Sequence, residues 1–156
     1  MSEAKLDDKA AQEFFKRLQK KTKDVQAAER KWVNIISVVV FRDIIKHFEE
    51  EKGPEGKWAP WAASYRKQLE RRGFSGNKLL QFNGRLRNSF TPEKWRKTNA
   101  GPEWYNPAQT KSGFPYAAHH DDGPSDGSKP RKFMWLSDGA LDDISKITLA
   151  YVLGGK

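Results

Sequence analysis

The chain has 156 residues and no cysteine, and its 29 Lys and Arg residues outnumber its 20 Asp and Glu residues, giving a formal net charge of +9. That length corresponds to one domain, and the lack of cysteine excludes disulfide frameworks, thiolate metal sites and thiol nucleophiles. The longest apolar run, residues 38–41, is far too short to cross a membrane. No signal peptide is recognised, so we expect a protein of an aqueous compartment.

The N-terminal third is predicted to form two amphipathic helices. In the first, apolar residues recur every four positions, at Leu6, Ala10, Phe14 and Leu18. The polar residues 20–23 interrupt this helix and are expected to act as a joint. A second helix is predicted over residues 25–51, with a wide apolar stripe made by Val33, Ile36, Val40, Ile44 and Phe48. Gly53 and Pro54 end it, and its wide stripe places it in the core or at a subunit interface.

Shorter elements are predicted in the middle of the chain. A third helix is expected to begin near Pro60 and to stop at Gly73. Residues 79–86 indicate a short apolar segment, interpreted as helical and broken near Gly84. Residues 90–98 and 102–106 are predicted to form a β-hairpin around a Gly-containing turn.

The last third is predicted to alternate between loops and short elements before one final helix. Residues 107–115 are expected to be a loop, 116–120 a short helix or a strand end, 121–129 a mobile loop and 132–136 a strand. Ser137 is the expected N-cap of the final helix. The contact face of that helix is predicted to be Leu141, Ile144, Ile147 and Tyr151.

These elements predict an α+β fold with N-terminal helices, a small antiparallel β-sheet and a C-terminal helix. We expect a single domain over residues 1–156, with a helical arm at 1–24 and a core domain at 25–153 that carries the mobile loop at 121–129.

Positive charge is concentrated in one part of the chain. Residues 57–97 contain 11 Lys and Arg residues against Glu70 and Glu93, so this segment alone accounts for the net charge of +9. Such a segment favours nucleic acid or an acidic protein surface as a partner, although it is also compatible with a solvated basic face that has no dedicated partner. The candidates for an interface or DNA-facing role are Arg85, Arg87, Lys94, Arg96 and Lys97.

No group of residues has the spacing of a catalytic or metal site. His119 and His120 are adjacent, and neighbouring residues of an extended chain point to opposite sides. The loop that begins at Asp121 has neither the spacing nor the closing Glu of a calcium loop. We therefore predict no catalytic residue, no metal and no cofactor. A metal-dependent nuclease is the enzymatic alternative, and it predicts that His119→Ala abolishes cleavage.

Four short stretches, taken in order, resemble a known family. They are residues 56–61, residues 79–90, residues 116–123 and residues 130–137. This order is similar to that of the virion morphogenesis or tail completion proteins of tailed bacteriophages. The resemblance is closest to the Mu-type group and more distant to the tail-component proteins of HK97-like phages. Within these stretches we expect fold-determining roles for Trp58, Gly84, Leu86, Tyr116, Pro130 and Arg131.

The resemblance implies a non-enzymatic structural protein of the virion neck, a tail completion or head–tail joining protein that is made in the host cytoplasm. It implies a homo-oligomeric ring, with a hexamer expected, and partners among the tail-tube or terminator proteins, the connector or neck proteins and the DNA in the channel. No membrane partner is expected. The basic segment would meet either that DNA or an adjacent acidic ring, and the loop at 121–129 would become ordered on docking.

The first alternative is a sequence-independent DNA-binding protein. In that case Arg85, Arg87, Arg96 and Lys97 would contact phosphates. Trp95 or Trp104 would stack on bases.

Overall fold

A computed structural model describes residues 8–74, 78–81, 83–123 and 129–154. It begins with one long helix, α1 (Asp8–Glu50), in place of the two helices that were predicted. The predicted joint at residues 20–23 is wrong: those residues are polar, but they include no Gly or Pro, and Lys is a good helix former. The predicted apolar stripe is confirmed, since it is almost completely buried at Val33, Ile36, Val40, Ile44 and Phe48.

A tight hairpin and a second helix follow α1. Strands β1 (Lys52–Gly53) and β2 (Gly56–Lys57) pair antiparallel, with Gly53 opposite Gly56. Helix α2 (Ala63–Arg71) is shorter than predicted, because Pro60 lies before the helix and not at its first position. Its expected stop at Gly73 is confirmed: φ is +79° there, and the Gly73 N–H donates to the Glu70 carbonyl at 2.9 Å.

Only one helical turn, α3 (Arg85–Asn88), forms where residues 79–86 were predicted to be a short apolar helix. The segment before it is held to the end of α1 instead. The Leu79 N–H donates to Glu51 Oε1 at 2.5 Å, and Gln81 Nε2 donates to the Phe48 carbonyl at 2.6 Å. These contacts replace the backbone hydrogen bonds that a helix would have made.

The predicted β-hairpin is confirmed, with shorter strands than expected. Strands β3 (Trp95–Thr98) and β4 (Gly101–Trp104) pair antiparallel, with Trp95 opposite Trp104. The described residues therefore contain two small antiparallel sheets of two strands each, where one sheet was predicted.

Residues 116–120 belong to a helix, α4 (Tyr116–Asp122). The predicted mobile loop at 121–129 is therefore wrong at Asp121 and Asp122, which are helical, while residues 124–128 lie outside the described residues. The predicted strand at 132–136 is also wrong. Its backbone is paired with side chains: Asp121 Oδ1 accepts from the N–H groups of both Phe133 and Met134 at 2.7 Å.

The last helix, α5 (Asp138–Gly154), runs antiparallel to α1. Two long-range hydrogen bonds fix this direction: Trp32 Nε1 donates to Thr148 Oγ1 at 3.1 Å, and Tyr151 Oη donates to the Ala28 carbonyl at 2.6 Å. The predicted N-cap is confirmed, since Ser137 Oγ accepts from the Ala140 N–H at 3.3 Å. The predicted contact face is wrong at Leu141, which is exposed, while Ala140 is buried.

The core is built around the C-terminal half of α1, which the middle of the chain encloses. Its buried cluster consists of Val40, Ile44, Phe48, Trp58, Leu86, Phe90, Ala108, Ala117 and Phe133. The predicted α+β class is confirmed. None of the helices in the described part of the chain carries an apolar stretch long enough to cross a bilayer.

Candidate interaction surfaces

Large apolar side chains remain exposed on two helices. Ten such side chains are exposed among the described residues, and seven of them lie on α1 and α5: Val25, Ile35, Val38, Leu141, Leu149, Val152 and Leu153. The most exposed are on the last turns of α5, where Val152 is 69% and Leu153 is 76% exposed. Scattered exposed apolar residues are ordinary on a monomer, but a cluster of this kind marks an interaction surface.

The C-terminal end of α5 lies beside an exposed part of α1. Because Tyr151 donates to the Ala28 carbonyl, the last turns of α5 come next to the turn of α1 that contains Val25. Val25 is itself 68% exposed. We call these exposed apolar residues of two neighbouring helices the α1–α5 apolar surface and define it by Val25, Leu149, Val152 and Leu153.

Three of the five predicted cationic candidates have carboxylate partners within the chain. Arg87 pairs with Glu49 at 3.0 Å, and Lys97 pairs with Glu29 at 2.5 Å. Arg96 binds both carboxylate oxygens of Glu103, at 2.8 and 3.1 Å. These contacts neutralise charge that the sequence alone suggested was available to a partner.

The ion pair between Arg96 and Glu103 also shifts the pKa of each partner. The hydrogen bond from Arg96 lowers the pKa of Glu103, and the same bond raises the pKa of Arg96. The pair joins β3 to β4, whose register places these two residues directly opposite each other.

The other two candidates, Arg85 and Lys94, make no ion pair with any residue of the described ranges. Helix α2 adds further cations of this kind at Arg66, Lys67 and Arg71, all exposed. Leu69 is the buried residue of α2, so its opposite face is cationic and points to solvent.

The four stretches that carry the family resemblance converge on one groove. This open groove has a volume of about 790 Å³. The first stretch contributes Ala59, Pro60 and Trp61; the later ones contribute Leu80, Asn83, Arg85, Leu86, Tyr116, His120 and Arg131. Ala62, Tyr65, Thr110, Lys111 and Lys129 complete the lining.

The groove is cationic, since Arg85, Lys111, Lys129 and Arg131 line it and none of its described lining residues is Asp or Glu. The Arg131 guanidinium is fixed in the wall, because its Nε and one terminal nitrogen donate to the carbonyls of Ala59 and Pro60 at 3.0 and 3.3 Å. Burial lowers the pKa of Arg131 from its usual value.

His120 lines the same groove as Arg131. Burial lowers the pKa of His120, and the nearby charges of His119 and Arg131 lower it further. The Arg131 N–H donates to the His120 carbonyl at 2.9 Å, so the two residues are also joined through the backbone.

The remaining fold-motif candidates lie around the groove or beneath it. Trp58 and Leu86 are buried in the core cluster, and Trp58 Nε1 donates to the Lys132 carbonyl at 3.0 Å. Gly84 adopts φ +69° immediately before α3. Pro130 lies against Gly123, where a Cβ atom would come within 3.4 Å of the proline ring.

The tryptophans proposed to stack on bases are held by the fold. Trp104 Nε1 donates to Ser37 Oγ at 2.9 Å, and Trp104 packs against the core cluster. Trp95 is half-buried opposite Trp104 in the hairpin.

The residues considered for metal binding are engaged elsewhere. The His119 ring lies edge-on to Phe114 at 5.3 Å, and Asp121 Oδ1 accepts two backbone N–H groups. In the described part of the chain, no three His, Asp or Glu side chains form a group that could hold a metal ion.

Sequence reasoning missed the groove as a unit. Lys111 and Lys129 lie in loop segments without periodicity, and only their tertiary positions associate them with Arg85 and Arg131. The sequence signal that pointed to the groove was the ordered set of four stretches, which supply most of its lining.

Comparison with known proteins identifies the family. The profile of the phage virion morphogenesis family matches residues 6–138, which is most of the chain. No curated protein and no solved structure was found to match it. The chain therefore belongs to the phage virion morphogenesis family, and its role is a structural or assembly role in building a bacteriophage particle.

Proposed function

We propose that this protein is a non-enzymatic component of the head–tail junction, a tail completion or head–tail joining protein that assembles into a ring. The single observation that carries the proposal is the α1–α5 apolar surface. Its four residues are between 59% and 76% exposed. Covering such side chains stabilises an assembly by about 25 cal/mol for each Å² of apolar area removed from water.

The first half of α1 supports the same proposal. This helix has 43 residues, which corresponds to about 65 Å at 1.5 Å per residue. The side chains of residues 22–28 are all exposed, whereas Val33 and Ile36, further along the helix, are buried. An amphipathic helix gains most of its stability from packing, so a neighbouring subunit is the expected partner of this segment. Repeated head-to-tail contacts of one chain close into a ring when the rotation between copies allows it.

Sequence-independent DNA binding is the second candidate, and the unpaired cations of α2 favour it. Arg66, Lys67 and Arg71 lie on an exposed face without carboxylate partners among the described residues. Binding of this kind weakens steeply with salt, because each phosphate contact releases counterions. Titrating labelled duplex DNA at increasing salt distinguishes this candidate from salt-insensitive binding to a protein ring.

Size-exclusion chromatography with light scattering tests the assembly proposal. The chain is measured alone and mixed with the tail-tube and connector proteins of the same phage. We expect a discrete ring in at least one of these samples. The double variant Leu149→Gln with Val152→Gln should lose it, while the control Ile35→Gln with Val38→Gln, at exposed apolar positions of α1 outside this surface, should retain it. A strict monomer under all conditions would overturn the ring proposal.

A further inference from the structure

We propose that the cationic groove is a docking site for an acidic peptide segment of a partner protein, anchored by an apolar side chain. The inference rests on the proposed function, because it names the chemistry of a partner in the assembly. The groove is bounded by α2, α3, α4 and the segment that contains Arg131, and every stretch of the family resemblance contributes to it.

Charge complementarity selects an acidic occupant. Arg85, Lys111, Lys129 and Arg131 are basic residues, and none of the described lining residues is an Asp or Glu that would oppose them. The predicted candidates Arg87, Arg96 and Lys97 are already paired with carboxylates. The groove therefore concentrates uncompensated positive charge, and like charges held close together are relieved by a bound anion.

Arg131 is the clearest case of an uncompensated charge. Its guanidinium is half-buried and oriented by two backbone carbonyls, yet it forms no ion pair within the described ranges. A partly buried charge without a counter-ion is costly. A guanidinium held in a fixed orientation is suited to planar, bidentate recognition of a carboxylate.

The floor of the groove favours a peptide over a nucleic acid. Ala59, Pro60, Ala62, Leu80 and Leu86 add aliphatic surface to the same lining as the cations. A segment that alternates carboxylates with apolar side chains matches both features. A nucleic acid offers phosphates to the cations, but it has no aliphatic side chains for the floor. The aromatic residues Trp61 and Tyr65 pack edge-on against each other at 5.9 Å, which fixes the wall nearest α2.

Fluorescence polarisation on the full chain tests the proposal with three labelled probes: a Glu-rich peptide with one central Phe, a Lys-rich peptide with the same Phe, and a thymidine oligonucleotide of matched charge. We expect saturable binding of the Glu-rich peptide alone. The groove variant Arg85→Glu with Lys111→Glu should weaken that binding by about tenfold, the factor expected for two partly exposed ion pairs. The charge-matched control Lys67→Glu with Arg71→Glu, on the outer face of α2, should change it less than about twofold.

Each other outcome contradicts the proposal. Equal weakening by the two variants would indicate attraction to net charge alone, and preferential binding of the oligonucleotide would assign the groove to nucleic acid. Absence of peptide binding would remove the proposal directly. Light scattering keeps the two ideas separate: a chain that forms the ring but ignores the peptide refutes the groove and not the assembly role. A chain that binds the peptide but never assembles refutes the assembly role and not the groove.

Discussion

Asp43 and Ser137 lie 94 residues apart and are joined by two hydrogen bonds. One carboxylate oxygen of Asp43 accepts from the Ser137 N–H at 2.8 Å, and the other accepts from Ser137 Oγ at 2.7 Å. Ser137 Oγ in turn caps the first turn of α5. A buried carboxylate near the C-terminal end of α1 therefore fixes the position at which α5 begins, and so the position of the α1–α5 apolar surface.

Replacing Asp43 with Ala is expected to destabilise the fold. The change leaves the Ser137 N–H without its acceptor and weakens the orientation of the cap, which costs about 2–3 kcal/mol of unfolding free energy. Urea denaturation followed by circular dichroism measures it. Asp142→Ala is the control, because that carboxylate is exposed on α5 and pairs with the exposed Lys146. Equal effects of the two substitutions would contradict the role given to Asp43.

Replacing Asp121 is also expected to destabilise the fold, because this side chain holds the segment 132–136 in place. Asp121→Ala removes the acceptor of two backbone N–H groups, and we expect a loss of about 2–3 kcal/mol. Asp121→Asn keeps an oxygen acceptor and should cost less. The neighbouring Asp122 is exposed, so Asp122→Ala should leave the urea midpoint unchanged. Hydrogen exchange at Phe133 and Met134 gives a local measurement, and unchanged protection in Asp121→Ala would count against the assignment.

The conformation of Gly84 predicts a contrast between two glycines. Gly84 has φ +69°, and a Cβ atom there would lie 3.2 Å from Asn88 Nδ2. Gly84→Ala should therefore cost about 1–2 kcal/mol from the left-handed backbone alone. Gly139 is in the first turn of α5 with no atom closer than 3.9 Å to a new Cβ, so Gly139→Ala should be neutral or slightly stabilising. Thermal unfolding of both variants tests this, and a Gly84→Ala chain as stable as the wild type would refute it.

The groove is expected to bind an acidic peptide more tightly at lower pH. Burial, with the charges of His119 and Arg131, lowers the pKa of His120 below its usual value. The empty groove therefore holds a neutral ring, and a carboxylate beside it would favour the imidazolium and raise that pKa. Binding then takes up a proton, so affinity should rise as the pH falls through the range in which the complex protonates.

The same shift has an opposite consequence for the free chain. Because the folded state disfavours the charged ring, the stability associated with His120 is complete above the unfolded pKa of about 6.5 and is lost as the pH falls toward the folded pKa. The charged groups Arg85, Lys111, Lys129 and Arg131 line the groove as well. His120→Gln should abolish the pH dependence of peptide binding, whereas His119→Gln, whose ring packs on Phe114 outside the groove lining, should retain it. Retention in His120→Gln would refute the assignment.

The sequence predicts helices well where burial is periodic and less well where tertiary contacts decide. The stripe from Val33 to Phe48 is recognisable because every third or fourth residue is apolar. The segment 132–136 has the composition of a strand. Its backbone groups nevertheless hydrogen-bond to the side chains of Asp121, Trp58 and His47, which are remote in the sequence. On α5 the small residue Ala140 is buried and the larger Leu141 is exposed. The prediction of the contact face was wrong there because it assumed that the larger apolar side chain is the buried one.

For the candidate surfaces, too, the sequence predicts the local composition but not the tertiary contacts. The sequence located the positive charge, but it could not show that Lys97 pairs with Glu29 or that Arg87 pairs with Glu49, because these partners are 68 and 38 residues apart. It identified Arg85 and Arg131 separately. Their common groove with Lys111 and Lys129 follows only from the way α2, α3 and α4 pack around the core.

A reconstruction of the phage particle would test whether this chain forms a ring at the head–tail junction. We predict copies of this chain in a closed ring at that junction, with Leu149, Val152 and Leu153 buried between neighbouring subunits. A particle in which the chain lies elsewhere, or in which the end of α5 faces solvent in every copy, would contradict it.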